Sequence, residues 1–257
     1  MTETLHFLDI DLDAFQSDTE HWKSNKRRLS KTRYVPWRED TLRKFLEDRC
    51  KLSSRAKIPG RFAIEHDAAL AYMEELYDHF GQELEVAHLD GHADLGLGDP
   101  SWVHLVTDWL AKKPSDRRRP PSHIGACNPG SYLAYAAAAR FLADVKYAYP
   151  PGGGDDFPII LFHENNPRGG YLELKRFSPE DRKNLDYEEL RADNAISVEP
   201  KIPYRAMPIE KFQAPKPFDR AFVCQSPGFT PKASDRLLYV LAEYIEFDSH
   251  SDALPTV

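Results

Sequence analysis

Residues 84–95 read LEVAHLDGHADL. The first half is apolar enough for a buried strand, and the second half sets Asp90, His92 and Asp94 at every second position. Alternate side chains of an extended chain point the same way, about 6.6 Å apart at a ~3.3 Å rise per residue. Two carboxylates and an imidazole therefore leave the end of this strand toward one side. Residues 5–13, LHFLDIDLD, repeat the pattern. Leu8, Ile10 and Leu12 take one face, and Asp9, Asp11 and Asp13 the other. Either alternation alone also fits the solvent face of an edge strand. Together they predict two neighbouring strand ends built around divalent cations, because so many buried carboxylates repel one another and resist desolvation. Oxygen and imidazole donors without thiolate suit Mn²⁺, with Fe²⁺, Co²⁺ or Zn²⁺ as substitutes. His66, after the strand RFAIE, sits at a third such edge, although a cap or packing role also fits a histidine there. His88 is read as a core histidine facing away from Asp90.

Working outward, strands and helices alternate along most of the chain. Helices are expected over 38–50, 67–80, 101–113, 130–145 and 235–245, and strands over 61–66, 83–90, the KYAY stretch and 220–226. A hairpin is expected from FPIILFHE and GYLELKRF across NNPRGG, and loops over 16–36 and 113–122. Residues 178–219 give no clear pattern. This alternation predicts a three-layer α/β protein with a mainly parallel sheet, in one domain over residues 1–257. Ligands of such sheets bind at the carboxyl ends of the strands, where both acidic clusters fall.

The chain has 257 residues, 41% apolar and 29% charged, with a formal net charge of −7. That balance offers no global basic field for nucleic acid. Cys50, Cys127 and Cys224 are three, widely spaced and not in CxxC pairs, which excludes a cysteine zinc site or disulfide framework as the expected reading. No basic region followed by an apolar core opens the chain, and no apolar run reaches membrane-spanning length, so a cytoplasmic protein without membrane contact is expected.

DGHAD resembles the Asp-x-His-x-Asp motif of the ureohydrolase superfamily, which includes arginases and agmatinases. LDID resembles that family's second metal strand, and EHDAAL its histidine-bearing segment. The blocks LDIDLDAF, EHDAAL, HLDGHADL, SHIGACNPGSYL and CQSPGFTP are similar to a divergent branch that includes peptide arginases, which convert arginine to ornithine in ribosomally made precursor peptides. They spread over roughly 5–15, 61–95, 122–150 and 220–245. The resemblance implies an arginase-like three-layer α/β/α fold, here with a circularly permuted strand order, since Asp-x-Asp precedes rather than follows the other elements. It implies two Mn²⁺ ions held by His66, Asp90, His92, Asp94, Asp9 and Asp11. Asp13 has no counterpart unless the register shifts by two.

The implied reaction is attack of a metal-activated water on the guanidinium carbon, releasing urea. Asp11 or Asp94 would take a proton, and His123, rather than His104 on its apolar helix, would protonate the departing amine. The family's late-strand glutamate is missing: Gln225 and Ser226 stand there, and Glu164, Glu65 and Asp13 are the candidates to pair with the guanidinium. Ser122 and Asn128 are candidate substrate contacts, with helix capping as the alternative. DRRRPP (116–121) reads as a solvated loop, or a grip for an acidic leader. The expected partner is a precursor peptide containing arginine, because no convincing set of groups for the ends of free arginine is visible. Homo-oligomer formation is carried over by fold analogy alone. The competing functions are a free arginine or agmatine ureohydrolase, a deacetylase-like metal hydrolase, and a non-catalytic metal-containing peptide-binding module.

Overall fold

A computed structural model describes residues 3–21, 28–96, 100–122, 125–180 and 195–256. Among the described residues ten strands are formed: β1 (Leu5–Asp11), β2 (Ile58–Ala63), β3 (Leu84–Leu89), β4 (Leu142–Tyr149), β5 (Tyr171–Leu172), β6 (Lys175–Arg176), β7 (Ser197–Val198), β8 (Ile202–Pro208), β9 (Arg220–Cys224) and β10 (Ile245–Phe247). The helices are α1 (Glu39–Asp48), α2 (Ala68–Phe80), α3 (Ser101–Thr107), α4 (Tyr132–Ala138) and α5 (Arg236–Tyr244), with several short 3₁₀ turns between. Eight strands make one sheet in the order β10-β2-β9-β1-β3-β4-β8-β5, and β6 and β7 form a separate ribbon. Every pairing in the large sheet is parallel except that of β5 with β8.

The sheet is covered on both faces. Phe7, Val86, Val145 and Phe222 pack with α2, α3 and α4 in one apolar cluster, while Leu8, Ile10, Leu89 and Val223 pack with α1 and α5 in another. This is a three-layer α/β/α arrangement. β1 sits in its middle, and all seven of its residues are buried. The acids of LDID are thus not the solvent face of an edge strand. They share the face of Phe7, under α2 and α4. α2 ends as its sequence suggests, at Gly81 with φ 65°, where the glycine N–H donates to the Tyr77 carbonyl.

Several expected elements differ. The Ala-rich helix stops at Ala138 instead of running to 145, because Arg140 turns left-handed (φ 61°) and the aromatic and apolar residues that follow enter β4. The expected hairpin over 157–177 is mostly 3₁₀ turns, joined by an antiparallel bridge of Phe162 with Leu172 and by Lys175, whose ammonium donates to the Ile160 and Phe162 carbonyls. β8 lies within the stretch that gave no pattern. Its prolines, which lack an N–H, stand near its two ends, at Pro203 and Pro208, where a missing donor costs the ladder least. The loop 113–122 is not simply solvated: Arg117 is buried and donates to the carbonyls of Leu110, Lys112 and Ala138 and to Glu199. Arg118 and Arg119 are paired with Asp78 and Glu74 of the same chain. No helix among the described residues is long and apolar enough to cross a membrane.

Candidate metal centre

Four strand ends build the site. β1 carries Asp9 and Asp11, and the 3₁₀ turn after it (Leu12–Phe15) carries Asp13. β3 carries His88 and then runs into the loop with Asp90, His92 and Asp94. β2 leads to His66 at the start of α2, and β9 leads to Cys224 and Ser226. The parallel register sets Asp9 beside His88 and Asp11 beside Cys224, so the side chains emerge at one edge. The DGHAD loop folds back through its own backbone. His92 N–H donates to Asp90 Oδ1 (2.7 Å), and Gly91 N–H donates to Asp13 Oδ1 (2.8 Å). Gly91 has to be glycine: a Cβ there would stand 2.9 Å from Asp13 Oδ2. Asp94 closes the loop in the left-handed region at φ 50° and Ser226 lies there too at φ 43°, so two of the uncommon backbone conformations cluster at the site.

Among the described residues four overlapping sets could hold an ion, Asp9–His66–His88 and Asp11–His66–Cys224 among them, and the two that share Asp90 adjoin. In the first, His66 Nδ1 lies 3.0 Å from Asp90 Oδ2, 3.1 Å from Asp94 Oδ2 and 3.3 Å from Asp11 Oδ2. In the second, His92 Nδ1 lies 3.2 Å from Asp13 Oδ2 and 3.5 Å from Asp90 Oδ1. Asp90 belongs to both, one oxygen to each. His66–Asp90–Asp94 and Asp13–Asp90–His92 each gather ligand atoms within 4.8 Å of one another, close enough to hold an ion. Although the atoms are near, His66 Nδ1, Asp90 Oδ2, Asp94 Oδ2 and Asp13 Oδ2 are buried without a hydrogen bond. Buried polar atoms seldom go unpaired, and four converging ones call for a partner. A cation fits, because the acceptors point at common centres rather than at donors.

The charges say the same. Burial, then the charge of Asp90, pushes the Asp94 carboxyl up to about 8. Burial, then Asp11 and Asp90, pushes Asp13 well above its ordinary value. Asp9 and Asp90 are also pushed up by burial, but the neighbouring histidines outweigh it and hold both below the usual carboxylate range. Burial opposes charging of His88, yet its hydrogen bond to Asp9 and the charges of Asp90 and Asp9 raise it to about 9. His66 and His92 rise well above their ordinary value despite burial. Without a metal, the cluster must hold protons where a cation would sit.

Asp9 has a different position from Asp90. Its Oδ1 lies 3.0 Å from His66 Nε2 and its Oδ2 3.0 Å from His88 Nδ1, and Tyr132 donates its hydroxyl to Oδ2. Both oxygens are engaged behind His66. This is the arrangement by which an outer carboxylate fixes the tautomer and aim of a ligating imidazole. Ser226 similarly donates to Asp11 Oδ2. His88 corrects the sequence reading: residues 88 and 90 share a strand face, and its Nε2 reaches the His92 carbonyl at 3.0 Å, tying strand to loop. The period-2 rule contained that signal. Nothing in the sequence singled out Tyr132.

The centre opens on one side. The His92 side chain is 17% exposed, against 5% or less for the other acids and histidines it gathers. Phe229 lies edge-on to it at 4.7 Å and His21 at 6.3 Å, so QSPGFTP does form a wall here. The other expected contacts lie elsewhere. Gln225 donates its amide to Asp235 (3.0 Å), Ser122 donates to Asp67 (3.2 Å), and Asn128 Oδ1 accepts from Gly130 N–H (2.9 Å) in the turn before α4. Glu164 is 79% exposed beside His163. Glu65 is half-buried at the end of β2's extension. His104 stacks on Tyr135, with its Nδ1 2.8 Å from the hydroxyl, as a packing histidine. His123 lies outside the described residues. Comparison with family models, curated proteins and solved structures gave no match to this chain.

Proposed function

We propose that this chain is a binuclear metal hydrolase of the ureohydrolase type, converting arginine side chains of a ribosomally made precursor peptide to ornithine and urea. The observation that carries the reading is the pair of buried ligand sets sharing Asp90 at the carboxyl edge of adjacent parallel strands. A shared carboxylate between two such sets favours two ions over the single zinc of a deacetylase-like enzyme. The reading includes the arginase-like type of the fold and its permuted order. The central position of β1, between β9 and β3, supports that part.

His66, Asp11, Asp90 and Asp94 would hold one ion, and Asp13, His92 and Asp90 the other, with Mn²⁺ favoured by the oxygen-rich donor set. The bound ions supply Lewis acidity and a water acidified toward neutral pH. The chain's residues do the rest. Asp9, held by Tyr132 and His88, keeps His66 aimed. Asp94 accepts the proton of the attacking water and passes it to the departing side-chain nitrogen, so that guanidinium and water give urea and an amine. The low exposure of the acids keeps bulk water out, and substrate approaches past His92 and Phe229.

The test is a mass measurement on Mn²⁺-loaded protein given an arginine-containing peptide, free arginine, and the same peptide with Asp90→Asn protein. Loss of one CH₂N₂ unit per peptidyl arginine, absent with Asp90→Asn, is expected. Reaction of free arginine alone would move the substrate to the small molecule. Two bound ions with no reaction on either would leave a binding module.

A further inference from the structure

Beside the metal centre, on its β4 side, three buried oxygens lack partners. Asp9, His88 and Tyr147 form a row across β1, β3 and β4, set by the parallel register. The Tyr147 ring lies 5.5 Å from that of His88. Phe157 packs its ring edge against both Tyr147 and Tyr204, at 6.1 Å from each. Tyr147 is 0% and Tyr204 1% exposed, yet neither hydroxyl makes a hydrogen bond. Asp156, next to Phe157, accepts the Ala93 N–H on Oδ2 (2.8 Å), while its Oδ1 is buried and unpaired. Ala93 lies between His92 and Asp94, so Asp156 is fastened to the metal loop itself. Burial, then the charge of Asp156, holds both tyrosine hydroxyls well above their ordinary pKa. The segment PPGGGDDF that carries it is pressed onto the same loop: a Cβ at Gly153 would stand 2.7 Å from the Gly91 carbonyl.

The set names its ligand by chemistry. The carboxylate oxygen accepts hydrogen bonds and turns anions away, and the two phenolic hydroxyls can each accept one while their own protons are free to face the carboxylate. A guanidinium has five N–H donors and no acceptor, and its plane stacks on aromatic rings. Phe157 and the histidine and tyrosine rings supply such walls. Of the three acids expected for this task, Asp13 is engaged by His92, Glu164 points to solvent beside His163, and Glu65 is half-buried just after β2. We propose that Asp156, with the hydroxyls of Tyr147 and Tyr204, receives the substrate guanidinium and sets the preference for arginine. This rests on the hydrolase reading above and adds its specificity residues.

The experiment compares Mn²⁺-loaded wild-type, Asp156→Asn, Tyr147→Phe and Tyr204→Phe proteins. Each is given an acetylated, amidated arginine peptide and the same peptide with citrulline, its uncharged isostere. Binding is read by calorimetry, turnover by mass, and bound metal by elemental analysis. Wild type is expected to bind the arginine peptide about 10- to 100-fold more tightly than the citrulline peptide, as a charge-assisted contact predicts. Asp156→Asn keeps an oxygen for Ala93 N–H, and is expected to keep its metals, lose that preference and raise KM more than it lowers kcat. Each Tyr→Phe change is expected to weaken arginine binding about 5-fold. Unchanged preference and KM in Asp156→Asn, with wild-type turnover intact, overturns this inference and leaves the hydrolase reading standing. If Asp156→Asn loses metal or fails to fold, the tyrosine variants decide, and full discrimination in both overturns it. No turnover or preference in wild type removes both readings together.

Discussion

Asp90 uses its two oxygens on two different histidine sets, whereas Asp9 spends both on aiming side chains. The two residues look alike in sequence, since each opens an alternating run of acids that begins on an apolar strand or just past its end. Their substitution should separate them. Asp90→Asn is expected to lose both ions. Asp9→Asn should still bind them, but about 10- to 100-fold more weakly, as removal of an orienting carboxylate does. Titration of chelated protein with Mn²⁺, followed by calorimetry, checks both. Equal losses in the two variants would erase the distinction. The alternation of acids was readable because period 2 is exact along a strand. The division of labour was not, because it depends on which atoms His66 and His88 present across strands far apart in sequence.

At the scale of elements, the sequence located the strands that matter and misjudged those at the sheet's margin. β1 and β3 carry their own evidence in apolar alternation. α4 was overextended because alanine propensity continues past Ala138, while Arg140 and the packing of Phe141 end the helix. β8 hid among prolines. Elements on the face away from the centre should affect stability and leave the metals alone. Leu241 of α5 is fully buried in the cluster with Leu46 and Leu238. Leu241→Ala is expected to cost about 2–5 kcal/mol of unfolding free energy. Denaturant unfolding checks this, with Mn²⁺ affinity unchanged. Arg117 likewise ties α4, the loop before it and Glu199 together. Arg117→Met leaves Glu199 only its exposed partner Arg140, and about 3 kcal/mol should be lost.

For the whole molecule, the cluster couples stability to pH. Asp94 (about 8) and His88 (about 9), with Asp13, His66 and His92, keep protons in the folded state that they release when unfolded. Groups raised in this way stabilise the fold below their unfolded pKa, near 3.9 for Asp and 6.5 for His, and lose that contribution as pH rises through the folded value. The lowered Asp9 and Asp90 act in the opposite sense, but only in acid. Chelated protein should therefore fall in thermal midpoint from pH 6 to pH 9. Mn²⁺ displaces those protons, so the stabilisation it confers should widen over the same range. Thermal scans with and without chelator check this. A chelated midpoint that is flat or rising with pH would contradict the proton-held cluster.

The place of β9 between β2 and β1 governs when the centre can exist. On a ribosome, β1 and β3 emerge early and can pair, but the slot beside β1 waits until residue 224 has been made. Until then β1 and β2 each offer a bare edge to whatever strand is near, and nascent chains held there are open to chaperones and to mispairing. Ser226, which steadies Asp11, arrives only with that insertion. A metal ion held by this cluster would thus be captured only once β9, which follows β1, β2 and β3 in the chain, has taken its slot.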